Sequence, residues 1–255
     1  VIEAFEVSKS FGEIRALDSV SLKCDAGEVV GLLGPNGSGK TTLIRIIMGL
    51  ELRDSGRVSV DGIDPGGDPV EVRKLVGYVP ETVALYDSLT PKEYFQFVSA
   101  VRRIDREKYV TKVKKLASAF GLTERLDDFV GALSRGNRQK VAIIGALLHD
   151  PKVILLDEAI VGLDPPSAAI FRELLRESLK RGSTVLFSTH ILEMAEAICN
   201  RVVIVAKGKK VGEGNVQELR RLVSESASLE EVFMKLTGEE EELVKVISAL
   251  RGGEQ

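Results

Sequence analysis

From Gly34 to Thr42 the chain reads Gly-Pro-Asn-Gly-Ser-Gly-Lys-Thr-Thr, two glycines bracketing four residues and followed by a lysine and a hydroxyl, the spacing of a phosphate-binding loop. Gly34, Gly37 and Gly39 let the backbone turn tightly, so that the N–H groups of the loop, those of Asn36 and Ser38 among them and Pro35 having none, can approach phosphate oxygens. Lys40 adds a mobile positive charge for β- and γ-phosphates, Thr41 offers a hydroxyl to Mg²⁺, and Thr42 continues into a helix whose positive end faces the same anion. A glycine-rich turn before an ordinary helix is the simpler alternative. The apolar run Val29 to Leu33 before the loop and the helical run Leu43 to Met48 after it supply the strand and helix that the phosphate motif requires.

A second set of reactive residues lies far along the chain. Val153-Ile154-Leu155-Leu156 leads into Asp157 and Glu158, two carboxylates at the carboxyl end of a buried strand, where open α/β sheets bind ligands. Asp157 can hold Mg²⁺ through water, and Glu158 is then the base or water-orienting group for attack on a γ-phosphate. Without a phosphate loop in the same chain, the pair would read as helix caps. His190 follows the next strand, Thr184 to Ser188, and should reach the same sheet edge, where it could contact the γ-phosphate or the attacking water. His149, at a helix end before Asp150-Pro151, reads as structural. Phe11 sits in a polar stretch, Ser8 to Gly12, taken as a turn; its ring could stack on a purine or cover the sheet edge.

The elements that must position these groups are legible in the periodicity. Residues 2–8 and 17–23 alternate apolar and polar as two half-exposed strands, and 55–62 reads as another. A Gly/Pro-rich surface loop at 64–69 precedes a short helix at 70–75 and a buried strand at 76–81. Helical periodicity then takes over, with helices expected at 91–102, 106–120 and 135–149, as a lobe inserted into the core. Pro151 marks the return to strands and helices in alternation, with a helix at about 166–181 and a hairpin at 202–213 turning at Lys207-Gly208. Beyond about Asn215 the chain is charged and helical, and Glu239 to Glu242 reads as a solvated helix start.

The 255 residues suffice for one large α/β domain. A formal net charge of −3 gives no general attraction to nucleic acid or anionic lipid, and no nucleic acid partner is expected. Two cysteines, Cys24 and Cys199, lack metal-ligand spacing and fit a reducing compartment. No apolar run approaches the roughly 20 residues that span a bilayer, and the opening six residues show no secretory leader.

Leu133-Ser134-Arg135-Gly136-Asn137-Arg138-Gln139 could be only a helix cap with a first-turn glycine. It also resembles the signature motif LSGGQ, or LSxGxxQ, of ATP-binding cassette (ABC) ATPases. From about residue 2 to 214 the chain is similar to that family in order and context. Phe11 matches the base-stacking aromatic, Gly34 to Thr42 the phosphate loop, Glu81 the Q-loop, Asp157-Glu158 the strand-end carboxylates, Gly162-Leu163-Asp164 the D-loop, and His190 falls in its place after the next strand.

The resemblance implies an α/β fold: a P-loop NTPase core with a mostly parallel sheet, an N-terminal antiparallel β subdomain and a helical lobe inserted at about 86–150. Residues 1–214 would form the ATPase domain and 215–255 a helical extension. It implies ATP and Mg²⁺ as cofactors, with Thr41, Asp157 and Glu81 toward the metal and Glu158, His190 and Lys40 in catalysis. Ser134, Gly136 and Asp164 would meet ATP bound to a second cassette, paired head to tail as a homodimer or heterodimer. Membrane subunits would receive the motion through the surface around Glu81 to Tyr94, placing the protein on the cytoplasmic face of the membrane. The segments 79–95 and 228–233 are similar to cassettes of ABC-2-type exporters. Three departures stand out: Glu81 where Gln is usual, Ala159-Ile160 where Pro-Thr is usual, and Arg135 at the first signature glycine. A soluble ABC ATPase of DNA repair, translation or iron–sulfur assembly is the alternative, but the chain shows neither a long coiled-coil insertion nor a second cassette. A P-loop kinase would leave the signature unexplained.

Overall fold

The computed structural model describes residues 1–221 and 228–238. The run Glu239 to Glu242 lies outside them. In chain order come β1 (Ile2–Phe11), β2 (Ile14–Cys24), β3 (Val29–Leu33), α1 (Lys40–Ile47), β4 (Ser55–Val60), α2 (Pro69–Leu75) and β5 (Val76–Val79). Helices α3 (Pro91–Arg102), α4 (Arg106–Ala119) and α5 (Arg135–Leu147) follow, then β6 (Val153–Asp157), α6 (Pro165–Lys180) and β7 (Thr184–Thr189). The described chain ends with α7 (Leu192–Ile198), β8 (Arg201–Ala206), β9 (Lys209–Gly214), α8 (Val216–Arg221) and α9 (Leu229–Thr237).

Two sheets result. A three-stranded antiparallel sheet runs β2-β1-β4, and a six-stranded sheet runs β5-β6-β7-β3-β8-β9, parallel except for the β8–β9 hairpin. Strands β3, β6 and β7 are buried at every position, which explains why they read as continuous apolar runs rather than as alternation. Alternate residues divide between two layers. Ile154, Leu156, Val185 and Phe187 pack toward α3–α6, whereas Val153, Leu155, Leu186, Val30 and Leu32 pack toward α1 and the antiparallel sheet. At the far side, Val202 and Ile204 of β8 carry Leu219, Leu229, Val232 and Phe233 of the last two helices.

Local chemistry sets the helix ends. Thr90 and Glu93 form a reciprocal capping box at the start of α3 with Pro91 in the first turn, and Asp164 caps α6 ahead of Pro165. Gly121 adopts a positive φ of 67° after α4, as its placement beyond a helical run predicts. The helices expected at 70–75, 91–102, 106–120, 135–149 and about 166–181 are found to within about two residues at each end. Helix α7 was not anticipated. Its stretch, Leu192-Glu193-Met194-Ala195-Glu196-Ala197-Ile198, starts after Ile191, which offers no side-chain cap, whereas α2, of equal length, is announced by Asp68 and Pro69.

The N-terminal stretch requires a correction. Residues 8–11 are not a turn but the last part of β1, with Phe11 paired to Ile14 across the hairpin and Gly12 (φ 59°) in the turn. Of the polar residues there, Ser8 is buried, Lys9 half-buried and Ser10 exposed, on a strand that shifts register between Val7 and Ser10, and such a bulge conceals the period of two.

Candidate functional site

The parallel sheet delivers the reactive residues to one edge. Strand β3 lies between β7 and β8, with β6 on the far side of β7; β6 ends in Asp157 with Glu158 next in the chain, and His190 follows β7. The loop after β3 is held by close backbone contacts. A Cβ added at Gly34 would lie 2.2 Å from the Val205 carbonyl oxygen, and one at Gly39, where φ is 106°, would lie 2.4 Å from that of Ala16. Only glycine fits either position. The Gly208 N–H donates to the Ser38 carbonyl at 3.1 Å, and the Asp18 N–H donates to the Gly208 carbonyl at 2.8 Å. The β8–β9 turn therefore braces the phosphate loop from one side and β2 from the other.

Lys40 is 6% exposed. Its Nζ donates to the carbonyls of Gly34 (2.7 Å) and Pro35 (3.1 Å). Burial pulls its pKa below the usual lysine value, and the charges of Glu158, Asp157 and Glu81 oppose that pull. Three carboxylates and one buried cation thus share the same local field.

Strand register explains the hydroxyl beside Asp157. Asp157 pairs with Ser188 across β6–β7, and the Ser188 Oγ donates to Asp157 Oδ1 at 2.5 Å. Glu158, 6% exposed, takes a left-handed backbone with φ 51°, a conformation disfavoured for any residue with a Cβ and one that recurs at functional sites. Its Oε1 lies 2.9 Å from His190 Nδ1, and its buried Oε2 has no hydrogen-bonding partner. A buried carboxylate oxygen without a donor is costly unless a ligand, water or ion supplies one.

Asn36, Gly37, Gly39, Lys40, Thr41, Thr42, Glu81 and Glu158 line one cavity of about 390 Å³, and Ile14, Arg15, Ala16 and Lys207 complete its wall. The first eight are expected site residues; the last four were missed. Lys207 was placed at a hairpin turn, but nothing in its neighbours says that this turn folds back onto Ser38. Phe11 does not line the cavity. It lies on the β1–β2 hairpin that also carries Ile14 and Arg15, 47% exposed, with Lys9 Nζ 5.1 Å from the ring centroid.

The donors present suit a nucleotide-borne Mg²⁺. The Thr41 hydroxyl and Glu81 face the cavity, and Asp157 lies at the adjoining strand end. Among the described residues no group of three or more His, Cys, Asp or Glu forms a cage by itself, and magnesium is ordinarily held by one or two carboxylates together with substrate phosphates.

Ser134, Gly136 and Asp164 gather elsewhere, around the start of α5. Ser134 is the N-cap, accepting from the Asn137 N–H at 3.3 Å, and both Ser134 and Arg135 are exposed. Asp164 accepts from the Ser167 N–H at 2.8 Å and pairs with Lys140 at 2.9 Å. The Lys140 bond, followed by that from Ser167, holds the Asp164 carboxyl well below the usual range. A second cavity, about 550 Å³, separates Leu133, Arg135, Arg138 and Gln139 from Glu81. Glu81 therefore borders both cavities, beyond the end of β5 at Val79 rather than within the strand.

Comparison with known proteins agrees with this geometry. The family described as ABC transporter matches residues 17–161, and one described as AAA domain, putative AbiEii toxin of a type IV TA system, matches residues 130–195. The ABC transporter ATP-binding protein NatA of Bacillus subtilis is 39% identical over 87% of this chain and 90% of its own. A solved structure described as the ATP binding subunit of an ABC transporter superposes with a TM-score of 0.89 at 33% identity, covering 93% of this chain and 99% of that one. Another, the dimeric post-hydrolysis state of an ATP-binding cassette bound to ADP and Pi, gives 0.77 at 27% identity over 84% and 98%. With the phosphate loop, the strand-end carboxylates and the capped signature helix in one fold, the chain belongs to the family of ABC transporter ATP-binding proteins.

Proposed function

We propose that this protein binds and hydrolyses ATP as the cassette subunit of an ABC transporter, pairing head to tail with a second cassette and driving export through separate membrane subunits. The observation that carries the reading is Glu158: a carboxylate held by His190, with its second oxygen buried and unpartnered, beside a phosphate loop that presents Lys40 and Thr41 to the same cavity. The loop N–H groups from Gly34 to Thr42 and the positive end of α1 bind the phosphates, and Lys40 leaves its carbonyl partners for the β- and γ-phosphates. Mg²⁺, brought with ATP and held by Thr41, Asp157 and Glu81, would neutralise charge on the phosphate oxygens. Glu158 takes a proton from water as that oxygen bonds to the γ-phosphorus and the bond to the β–γ bridging oxygen breaks; His190 orients the carboxylate.

Phe11 is placed to stack on the base once Lys9 yields the ring face. The exposed N-terminus of α5, with Ser134 and Gly136, meets the γ-phosphate of the partner's ATP, and Asp164 lies beside that contact. The functional division is an ATPase domain over 1–214, including the lobe at about 86–150, and an extension over 215–255. None of the helices among the described residues is long and apolar enough to cross a membrane; separate membrane subunits, with the protein bound at their cytoplasmic side, supply the path. Export is favoured by the likeness of segments 79–95 and 228–233 to ABC-2-type exporter cassettes. The test is Glu158→Gln: ATP binding should persist, turnover should fall about 10³-fold, and an ATP-dependent dimer should accumulate. Unchanged turnover would remove Glu158 from the reaction.

A further inference from the structure

Gln139 is 4% exposed, the most deeply buried amide side chain of α5's polar first half. Its Nε2 donates at 2.7 Å to the carbonyl of Ala159, the residue immediately after Glu158. On the other side of Glu158, its own N–H donates to the Ser188 carbonyl of β7 at 3.1 Å. The backbone of Glu158 is thus gripped from both sides while it holds a left-handed φ of 51°. A residue with a Cβ leaves that region when nothing restrains it. Relaxation here would swing the carboxylate away from His190 and out of line with Lys40.

We propose that Gln139 is a positioning residue for hydrolysis: by holding the Ala159 carbonyl it fixes the strained turn that aims Glu158. Ala159 and Ile160 occupy the turn, and both are buried. Neither is a proline that would stiffen the turn by itself. Two neighbouring contacts brace the same junction. Lys140 pairs with Asp164 at 2.9 Å, and a Cβ at Gly136 would come within 3.0 Å of the Gly162 carbonyl. Helix α5, whose first turn carries Ser134 and Gly136, is therefore joined directly to the loop that carries the same chain's Glu158. The inference rests on the reading of Glu158 as the hydrolytic carboxylate.

The experiment uses the full chain with Gln139→Met, which keeps length and bulk but cannot donate, and Gln139→Glu, whose carboxylate would face the Ala159 carbonyl. ATPase kinetics, equilibrium binding of a fluorescent ATP analogue, and ATP-dependent dimerisation in the Glu158→Gln background are measured for each. The expected result is a fall in kcat of roughly 10- to 100-fold, larger for Glu than for Met, with KM, nucleotide affinity and dimerisation within about twofold of the parent. Wild-type kcat in both variants, or losses shared equally by kcat, binding and dimerisation, would overturn the role. Glu158→Gln separates the two readings: turnover surviving in it removes both, whereas a dead Glu158→Gln beside fully active Gln139 variants removes only the positioning role.

Discussion

The phosphate loop and the start of α5 are both helix N-termini, yet one is enclosed by its own chain and the other faces outward. Around the loop, Val205, Ala16 and Gly208 press on backbone that admits only glycine at two positions, and Lys40 and Glu158 are nearly buried. At α5 the capping Ser134 and its neighbour Arg135 are exposed, and Ser134 makes one 3.3 Å bond within its own turn. A site that must hold several negative charges needs donors on more than one side. The first region supplies an enclosed pocket, whereas the second presents its cap at the surface, beside a cavity of about 550 Å³ that Arg135 and Arg138 share with Glu81. On the function proposed above, the second region closes over nucleotide held by another molecule.

The comparison breaks most visibly in the chemistry. Glu158→Gln keeps the enclosed region's shape and removes its base, so turnover should drop about 10³-fold, roughly 4 kcal/mol in the barrier, with nucleotide affinity retained. Activity and binding falling together would mean that the residue acts on ground-state binding instead.

His149 tests the join between the regions, because it follows α5 and its Nε2 lies 3.2 Å from the Val76 carbonyl of β5. Burial is the main cause that lowers its pKa from 6.5 to about 4. The unfolded chain therefore binds a proton that the folded one refuses between those values, and stability must rise with pH across that window and fall as pH drops from about 6.5 toward 4. The shift corresponds to about 3 kcal/mol. Denaturant midpoints should show this slope, and His149→Asn should flatten it; an unchanged slope would place the titration elsewhere.

Ser134→Arg acts on the outward region alone. Monomer affinity for ATP should hold, while ATP-dependent dimerisation weakens by at least about 30-fold, some 2 kcal/mol. Dimerisation at the parental level would show that α5 does not face the partner's nucleotide. The smallest effect is expected at Phe11, exposed and off the cavity wall: Phe11→Ala should weaken ATP binding by about 1 kcal/mol, roughly fivefold. No change would leave its ring as cover for the sheet edge.

Much of the enclosed region was legible in the sequence because its constraints are local. Residue spacing from Gly34 to Thr42 specifies a loop by itself, and the unbroken apolar runs before Asp157 and at Thr184 to Ser188 announce strands covered on both faces. What escaped depends on contacts between distant segments. Arg15 and Lys207 reach the cavity only because two hairpins fold over Ser38, and Phe11 belongs to a strand whose bulge hides its alternation. The Gln139–Ala159 bond joins residues twenty apart, and neither residue type announces it.

Mixing two inactive variants decides whether one ATP is held by two copies at once. Lys40→Ala lacks a working phosphate loop and Ser134→Arg a working signature, so each alone should be nearly inactive. In their heterodimer, the intact loop of the second meets the intact signature of the first, and one complete site forms. Mixing should restore ATPase activity to a substantial fraction of the parent's, and activity should rise with the heterodimer population. Two dead variants that stay dead when mixed, or a parent that hydrolyses ATP at full rate as a demonstrated monomer, would contradict a shared ATP.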